Sequence, residues 1–467
     1  MRRERLVALA TLALLQIFVI GAGISAMATG LGTPAETRKP VAAPTAPPVP
    51  IVTSGPVLDA ADDAAAQKGT GKPAKDALAA KLGGVLDGLG AGAGAVVLDA
   101  ESGAVLFGSG ATTGVTPAST TKVATATAAL TALGPQTRLT TRVVRDTSKN
   151  AIVLVGGGDA TLAGPGAGKD TYPRPASLAV LASRAAKALR AAGTTRVTLS
   201  FDDALFSGAR TGPGWKPNYV PEGTVSPVSA LMIDEGRVGS HSAERAPDPA
   251  RAAADAFASL LTKRGVKVRG NVERKQAPAR AREIARVQSP PVYQLVEHML
   301  TMSDNDLAES LAHQVAVKSG EPGTFAGGVR AVHRILRRLG VDEGVKLYDG
   351  SGLSTRNRIT PAALARLLAV AASPKHPELH SLITGLPVAG FSGTLDDRYH
   401  KAATRPGAGV VRAKTGTLRG VNTLAGIAYT TGGRLVTFAF MSDRVTNPGR
   451  AVATLDRLAA MVAGCAC

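Results

Sequence analysis

The sequence predicts an α+β fold, in which an antiparallel sheet flanked by helices is assembled from both ends of the chain and interrupted by an inserted α/β domain. Three observations predict it. Strand-like runs lie near Gly94–Gly108 and return only between Val410 and Met441. Helical patterns at Val292–Met302 and Asp306–Val317 lie between them. Between Leu139 and Gln288 strand and helix patterns alternate over a length too great for an irregular connection.

The elements follow in order. Arg2, Arg3 and Arg5 precede an apolar stretch from Leu6 to about Ala28 that ends in Ala26-Met27-Ala28. This is the pattern of a secretory signal, and it is long enough to serve uncleaved as a membrane anchor. Either reading exports the remainder to the cell envelope or beyond. Seven prolines between Pro34 and Pro56 mark residues 29–73 as an extended Pro/Ala-rich linker. Gly94–Asp99 and Ala104–Gly108 read as strands joined at Glu101-Ser102-Gly103, and Thr120–Leu133 reads as an Ala-rich helix stopped by Gly134-Pro135. Residues 74–138 thus form the first part of the main domain.

The block 139–288 is expected to be the inserted domain. It opens with a hairpin, Thr140–Arg145 and Ala151–Gly156, followed by a helix at Pro175–Ala192 and a strand at Thr195–Phe201. A second helix spans Pro249–Arg264, capped by Asp248. Pro290-Pro291 marks the return to the main domain, 289–467. There the helical stretches Val292–Met302 and Asp306–Val317 are broken at Ser303-Asp304-Asn305. Strands Val410–Thr417, Val421–Thr430 and Leu435–Met441 and a final helix, Ala451–Ala463, close the chain.

Three short signals occur in order: Ser119-Thr120-Thr121-Lys122, Ser303-Asp304-Asn305 and Lys414-Thr415-Gly416. Chance supplies an S-x-x-K about once in a chain of this length, and Ser148-Lys149-Asn150 matches S-x-N as a mere turn. Correctly ordered, with the first opening a helix and the last on a strand, the three together are the motif set of penicillin-binding proteins and class A β-lactamases. A serine hydroxyl needs a base to become a nucleophile. Lys122, one helical turn after Ser119, supplies one if burial and a second cation, Lys414, keep it neutral. Ser303 is placed to relay a proton to the leaving nitrogen, and Asn305 to orient Lys122 and the substrate amide. Lys414 and Thr415 are placed to hold a terminal carboxylate, and Gly416 lets substrate backbone approach. The amides of Ser119 and Thr417 are the expected oxyanion donors.

Beyond the triplets, the chain resembles the class C low-molecular-mass penicillin-binding proteins over roughly residues 80–460. The resemblance is carried by Gly156-Gly157-Gly158-Asp159, Asp349-Gly350-Ser351-Gly352-Leu353-Ser354, Leu386-Pro387-Val388-Ala389-Gly390 and Gly393-Thr394-Leu395. It implies a penicillin-binding transpeptidase-like (serine β-lactamase-like) fold and a D-alanyl-D-alanine carboxypeptidase that often doubles as an endopeptidase. Peptidoglycan stem peptides are then the substrates and β-lactams covalent inhibitors. The resemblance further implies that Trp215 and Arg356 border the substrate pocket. Ser119 and Ser303 are 184 positions apart. That gap points to an inserted domain of the class C kind, although it is short for that family and implies a reduced accessory region.

The formal charge of +19 with 3% aromatic residues suits anionic wall polymers or a membrane surface rather than nucleic acid. No H-E-x-x-H or C-x-x-C occurs, so neither a metal nor a cofactor is expected. His298 and His313 read as packing or surface residues. Cys465 and Cys467 at the C-terminus leave a local bridge and two free thiols both open. Two rival functions are a β-lactamase and a wall-binding scaffold with vestigial catalytic residues.

Overall fold

Strand Gly94–Asp99 pairs antiparallel with Leu435–Ser442, placing Val97 opposite Phe438 and Ala95 opposite Phe440. This pairing makes one five-stranded sheet from the two ends of the chain. Its strand order is Arg412–Leu418, Val421–Tyr429, Leu435–Ser442, Gly94–Asp99, Val105–Ser109, and every neighbouring pair is antiparallel. The computed structural model describes residues 72–466 except 91, 147–149, 167–170 and 240–241. The expected signal segment, nearly all of the linker, the Ser148-Lys149 turn and Cys467 therefore lie outside the described residues. Cys465 is disulfide-bonded.

Both faces of this sheet are covered, so its strands are apolar at consecutive positions instead of alternating. Val96 and Leu98 face a core with Val123, Leu130, Leu295, Leu311 and Leu364. Ala95 and Val97 face the other side with Phe438, Phe440, Leu455 and Leu458. Helices Lys72–Leu86 and Pro448–Ala463 cover the second face. On the first lie Lys122–Leu133, Val292–Met302, Asn305–Lys318, Phe325–Arg338 and Pro361–Ala372. Among the described residues no helix is long and apolar enough to cross a membrane.

A second sheet of six strands is built from residues 138–291. Arg138–Arg145 lies between Ala151–Val155 and Arg282–Pro291, antiparallel to both, and Ala151–Val155 continues parallel to Arg196–Asp202. The short strands Lys267–Val268 and Glu273–Arg274 add to Arg196–Asp202. This sheet and its helices Leu178–Ala191 and Pro249–Thr262 enclose a core of their own, including Leu154, Leu181, Phe201 and Phe257. The Asp248 cap forms as its sequence suggests, its side chain accepting from the Arg251 N–H. The strand Arg282–Pro291 reaches further than the Pro290-Pro291 signal indicates, because it pairs only on one side, where prolines are tolerated.

Helix Phe325–Arg338 carries the pair Gly327-Gly328, a turn signal by composition. Tertiary packing overrides it: Thr324 caps the helix by accepting from Gly327 N–H, and a Cβ on Gly328 would lie 3.1 Å from the Ala312 carbonyl oxygen. Phe438 and Phe440 stack at 5.2 Å in the wholly buried centre of the second core. Phe438→Ala is expected to destabilise the protein by about 3–5 kcal/mol, measured as a lower urea midpoint at unchanged slope.

Candidate active site

Ser119 lies in a single 3-10 turn, Ala118–Thr121, that runs directly into helix Lys122–Leu133. Ala118 has φ +48°, a conformation that side chains rarely adopt. Close packing holds it there. A Cβ on Gly352 would fall 1.9 Å from the Ala118 carbonyl oxygen, and one on Gly416 would fall 2.6 Å from that of Pro117. The Pro117 carbonyl also accepts from the hydroxyls of Thr120 (2.7 Å) and Thr423 (2.9 Å). The turn bearing Ser119 is therefore wedged between the Gly352 loop and the strand Arg412–Leu418.

Lys122 is wholly buried, while Ser119 keeps partial exposure. Its Nζ donates to Ser119 Oγ at 3.0 Å, to Asn305 Oδ1 at 2.7 Å and to the Ser351 carbonyl at 2.7 Å. Asn305 in turn donates its amide to the Thr224 carbonyl at 2.9 Å. Burial pushes the Lys122 ammonium down to about 8, opposed by the charges of Asp304, Asp349, Glu309 and Asp306. Lys414, also wholly buried, is pushed well below its ordinary range by burial and then by the charge of Lys122. It donates to the Thr415 carbonyl at 3.0 Å.

Ser303 closes helix Val292–Met302 in the left-handed region, φ +59° and ψ +35°, and Asp304 caps the next helix by accepting from Leu307 N–H. Asn305 is the first residue of that helix, which is how one turn presents both Ser303 and Asn305. Both line a cavity of about 400 Å³ shared with Thr224 and Arg245. Ser303 is not among the Lys122 partners described above. On the other wall, the Thr415 hydroxyl is 2.8 Å from that of Thr394, Gly416 is buried, and Thr417 is exposed opposite Asn422.

Trp215 and Arg356 join this cluster indirectly. The Trp215 indole N–H donates to Asp349 Oδ2 at 2.8 Å, and its ring meets Phe325 edge-on at 5.5 Å. Arg356 is exposed, with its stem over Gly214. His313 is packed between Phe206 and Phe325 and kept neutral by burial, which lowers it to about 4. Among the described residues one trio with cation-ligand chemistry, Glu235, His298 and Asp304, brings ligand atoms within 4.8 Å of one another. Arg237 already pairs with Glu235 there at 2.8 Å, supplying the positive charge itself.

Sequence reasoning did not single out Glu309, the Ser351 carbonyl or Thr394 as site groups. Ser351 and Thr394 lie in Gly-rich segments that resemble ordinary turns, and a carbonyl has no residue signature.

Residues 78–247 and 239–463 match the D-Ala-D-Ala carboxypeptidase 3 (S13) family. The chain belongs to that family. Carboxypeptidase DacB of Mycolicibacterium smegmatis is 39% identical over 377 residues, 79% of this chain and 80% of its own. A carboxypeptidase of Mycobacterium tuberculosis is 38% identical over 437 residues, 92% of each chain. Penicillin binding protein 4 of Haemophilus influenzae shares the fold, with a TM-score of 0.69 at 24% identity over 80% of this chain and 97% of that one. The S13 family makes this chain a serine-type D-Ala-D-Ala carboxypeptidase, in agreement with the class C resemblance of its motifs.

Gly352→Ala is expected to cost about 1–3 kcal/mol by overpacking against Ala118. Gly433→Ala, in open space at φ +79°, is expected to cost less. Urea unfolding of the two variants checks the difference.

Proposed function

We propose that Ser119 is the acylation centre of this carboxypeptidase, and the observation that carries the proposal is the 3.0 Å contact between Lys122 Nζ and Ser119 Oγ. Neutral Lys122 takes the hydroxyl proton as Ser119 Oγ attacks the carbonyl carbon of a D-Ala-D-Ala bond. The new C–O bond forms, the C–N bond breaks, and the proton passes through Ser303 to the departing D-alanine amine. Water then hydrolyses the acyl-enzyme. Asn305, bonded to Lys122 on one side and to the Thr224 carbonyl on the other, keeps Lys122 aimed and meets the substrate amide. The amide of Thr417 and that of Ser119 stabilise the oxyanion. Lys414 and Thr415 receive the terminal carboxylate.

Trp215 and Arg356 border the site as specificity elements. The same chemistry extends to cross-bridges that present a D-amino acid centre, making D,D-endopeptidase cleavage a second activity. It also makes β-lactams covalent inhibitors. Residues 139–288 act as an inserted domain, and an apolar N-terminal segment exports the enzyme to the cell envelope, where the +19 charge suits anionic wall polymers.

Ser119→Ala is expected to lower D-alanine release from a defined pentapeptide muropeptide by at least about 10⁴-fold and to abolish labelling by a fluorescent penicillin. Retention of either removes Ser119 from its role. Because Lys122 must be neutral to act and sits at about 8, the acylation rate should fall about tenfold per pH unit below that value. Stopped-flow acylation between pH 6 and 10 reads this limb.

A further inference from the structure

The side chain behind Lys122 is Glu309, one turn along the helix Asn305–Lys318 from Asn305. It is completely buried. Its two carboxylate oxygens accept from Gly350 N–H at 3.1 and 3.0 Å, and Oε1 accepts from Ser351 N–H at 2.7 Å. The peptide unit that follows ends in the Ser351 carbonyl, one of the three acceptors around Lys122 Nζ. The other side of the same loop is pinned by Asp349, also buried. Its carboxylate accepts from Gly352 N–H, Ser354 N–H, Asn357 Nδ2 and Trp215 Nε1. Thr125, one turn beyond Lys122 on its helix, donates to the Gly350 carbonyl at 2.6 Å. A turn in a folded protein does not need a second wholly buried carboxylate under it, because burying such a charge is costly. Here the cost is borne next to the one lysine whose position and charge matter.

We propose that Glu309 is a positioning residue for acylation, orienting the Gly350-Ser351 backbone so that its carbonyl aims Lys122 at Ser119. The charged groups acting on Lys122 from the surrounding elements are Asp304 and Asp306 at the Ser303 turn, Glu309 on the helix and Asp349 on the loop. Lys414 faces it from the strand. Burial and then the charge of Asp349 push Glu309 up to about 8, against the pull of its Ser351 and Gly350 donors. An amide in its place puts an NH2 where one of the two accepting oxygens stood and so loosens the Ser351 carbonyl.

The inference rests on the reading of Lys122 as the base, and the experiment separates the two. The rate of acylation by a chromogenic β-lactam is measured against its concentration for the full chain and its variants, with folding followed by circular dichroism. Glu309→Gln is expected to acylate about 10- to 100-fold more slowly at saturation while the concentration for half-saturation stays at the parental value. A parental rate at saturation, or a loss carried by weaker binding alone, overturns the proposal. Should Glu309→Gln not fold, Glu309→Asp keeps a carboxyl group but withdraws it from Ser351 N–H. A slower rate at unchanged half-saturation is then expected, and a parental rate overturns the proposal. Lys122→Ala is the outer control. If it acylates normally, the reading of Lys122 as base fails, and with it the role of Glu309; if it is inactive while Glu309→Gln has a parental rate, only the Glu309 proposal fails.

Discussion

The antiparallel pairing of Gly94–Asp99 with Leu435–Ser442 is the constraint on which the site depends. It joins segments more than three hundred residues apart, so its loop-closure cost must be offset by burial on both faces of the sheet. Once it forms, Val421–Tyr429 and Arg412–Leu418 follow in register, and Lys414 comes beside the turn that carries Ser119. Asp443, just past the paired strand, accepts from both the N–H and the hydroxyl of Thr116, tying the approach to Ser119 to the same sheet. Thr423 completes the link through the Pro117 carbonyl.

Around this frame the protein accepts several local costs in one place. Lys122 and Lys414 are both wholly buried, although isolated interior charges are strongly disfavoured. Ala118 and Ser303 adopt left-handed backbone conformations without being glycine. The costs at Lys122, Ala118 and Ser303 have visible counterparts: acids around Lys122, glycines at 352 and 416 beside Ala118, and a new helix capped by Asp304 immediately after Ser303. Strain concentrated this way fixes a hydroxyl, an amine and an amide within hydrogen-bond reach before substrate arrives. Thr224, Ser226 and Arg245 contribute as well, since Thr224 holds Asn305, Ser226 N–H donates to Asp306 at 2.7 Å, and Arg245 forms a nearly dry ion pair with Asp306 at 3.3 Å. Residues from the long intervening segment thus help hold the Ser303 turn in place.

Much of this was legible in the residues. Strands at both ends, the helix broken at Ser303-Asp304-Asn305 and the Asp248 cap are local signals, set by turn residues, capping side chains and apolar runs. Other parts were not. Helix Phe325–Arg338 carries two glycines in its first turn, and only the close approach of Ala312 to Gly328 shows why a small residue is useful there. Strand Arg282–Pro291 carries five polar or charged residues and two prolines, and only its partner Arg138–Arg145 makes it a strand. Glu309 looks like any helical glutamate until the Gly350 and Ser351 amides are seen beneath it.

The sequence by itself determined the chemistry of this protein: a serine with a lysine one turn later, a Ser-x-Asn turn and a Lys-Thr-Gly strand, in an order that names the reaction class. Those are covalent spacings of three residues or fewer, and local backbone geometry carries them into space unchanged. Only the tertiary structure decided which distant groups surround Lys122 and how far burial lowers its proton affinity. Both depend on contacts such as Asn305 and Ser351 with Lys122, which span 183 and 229 positions, and on a dielectric environment that no short motif encodes.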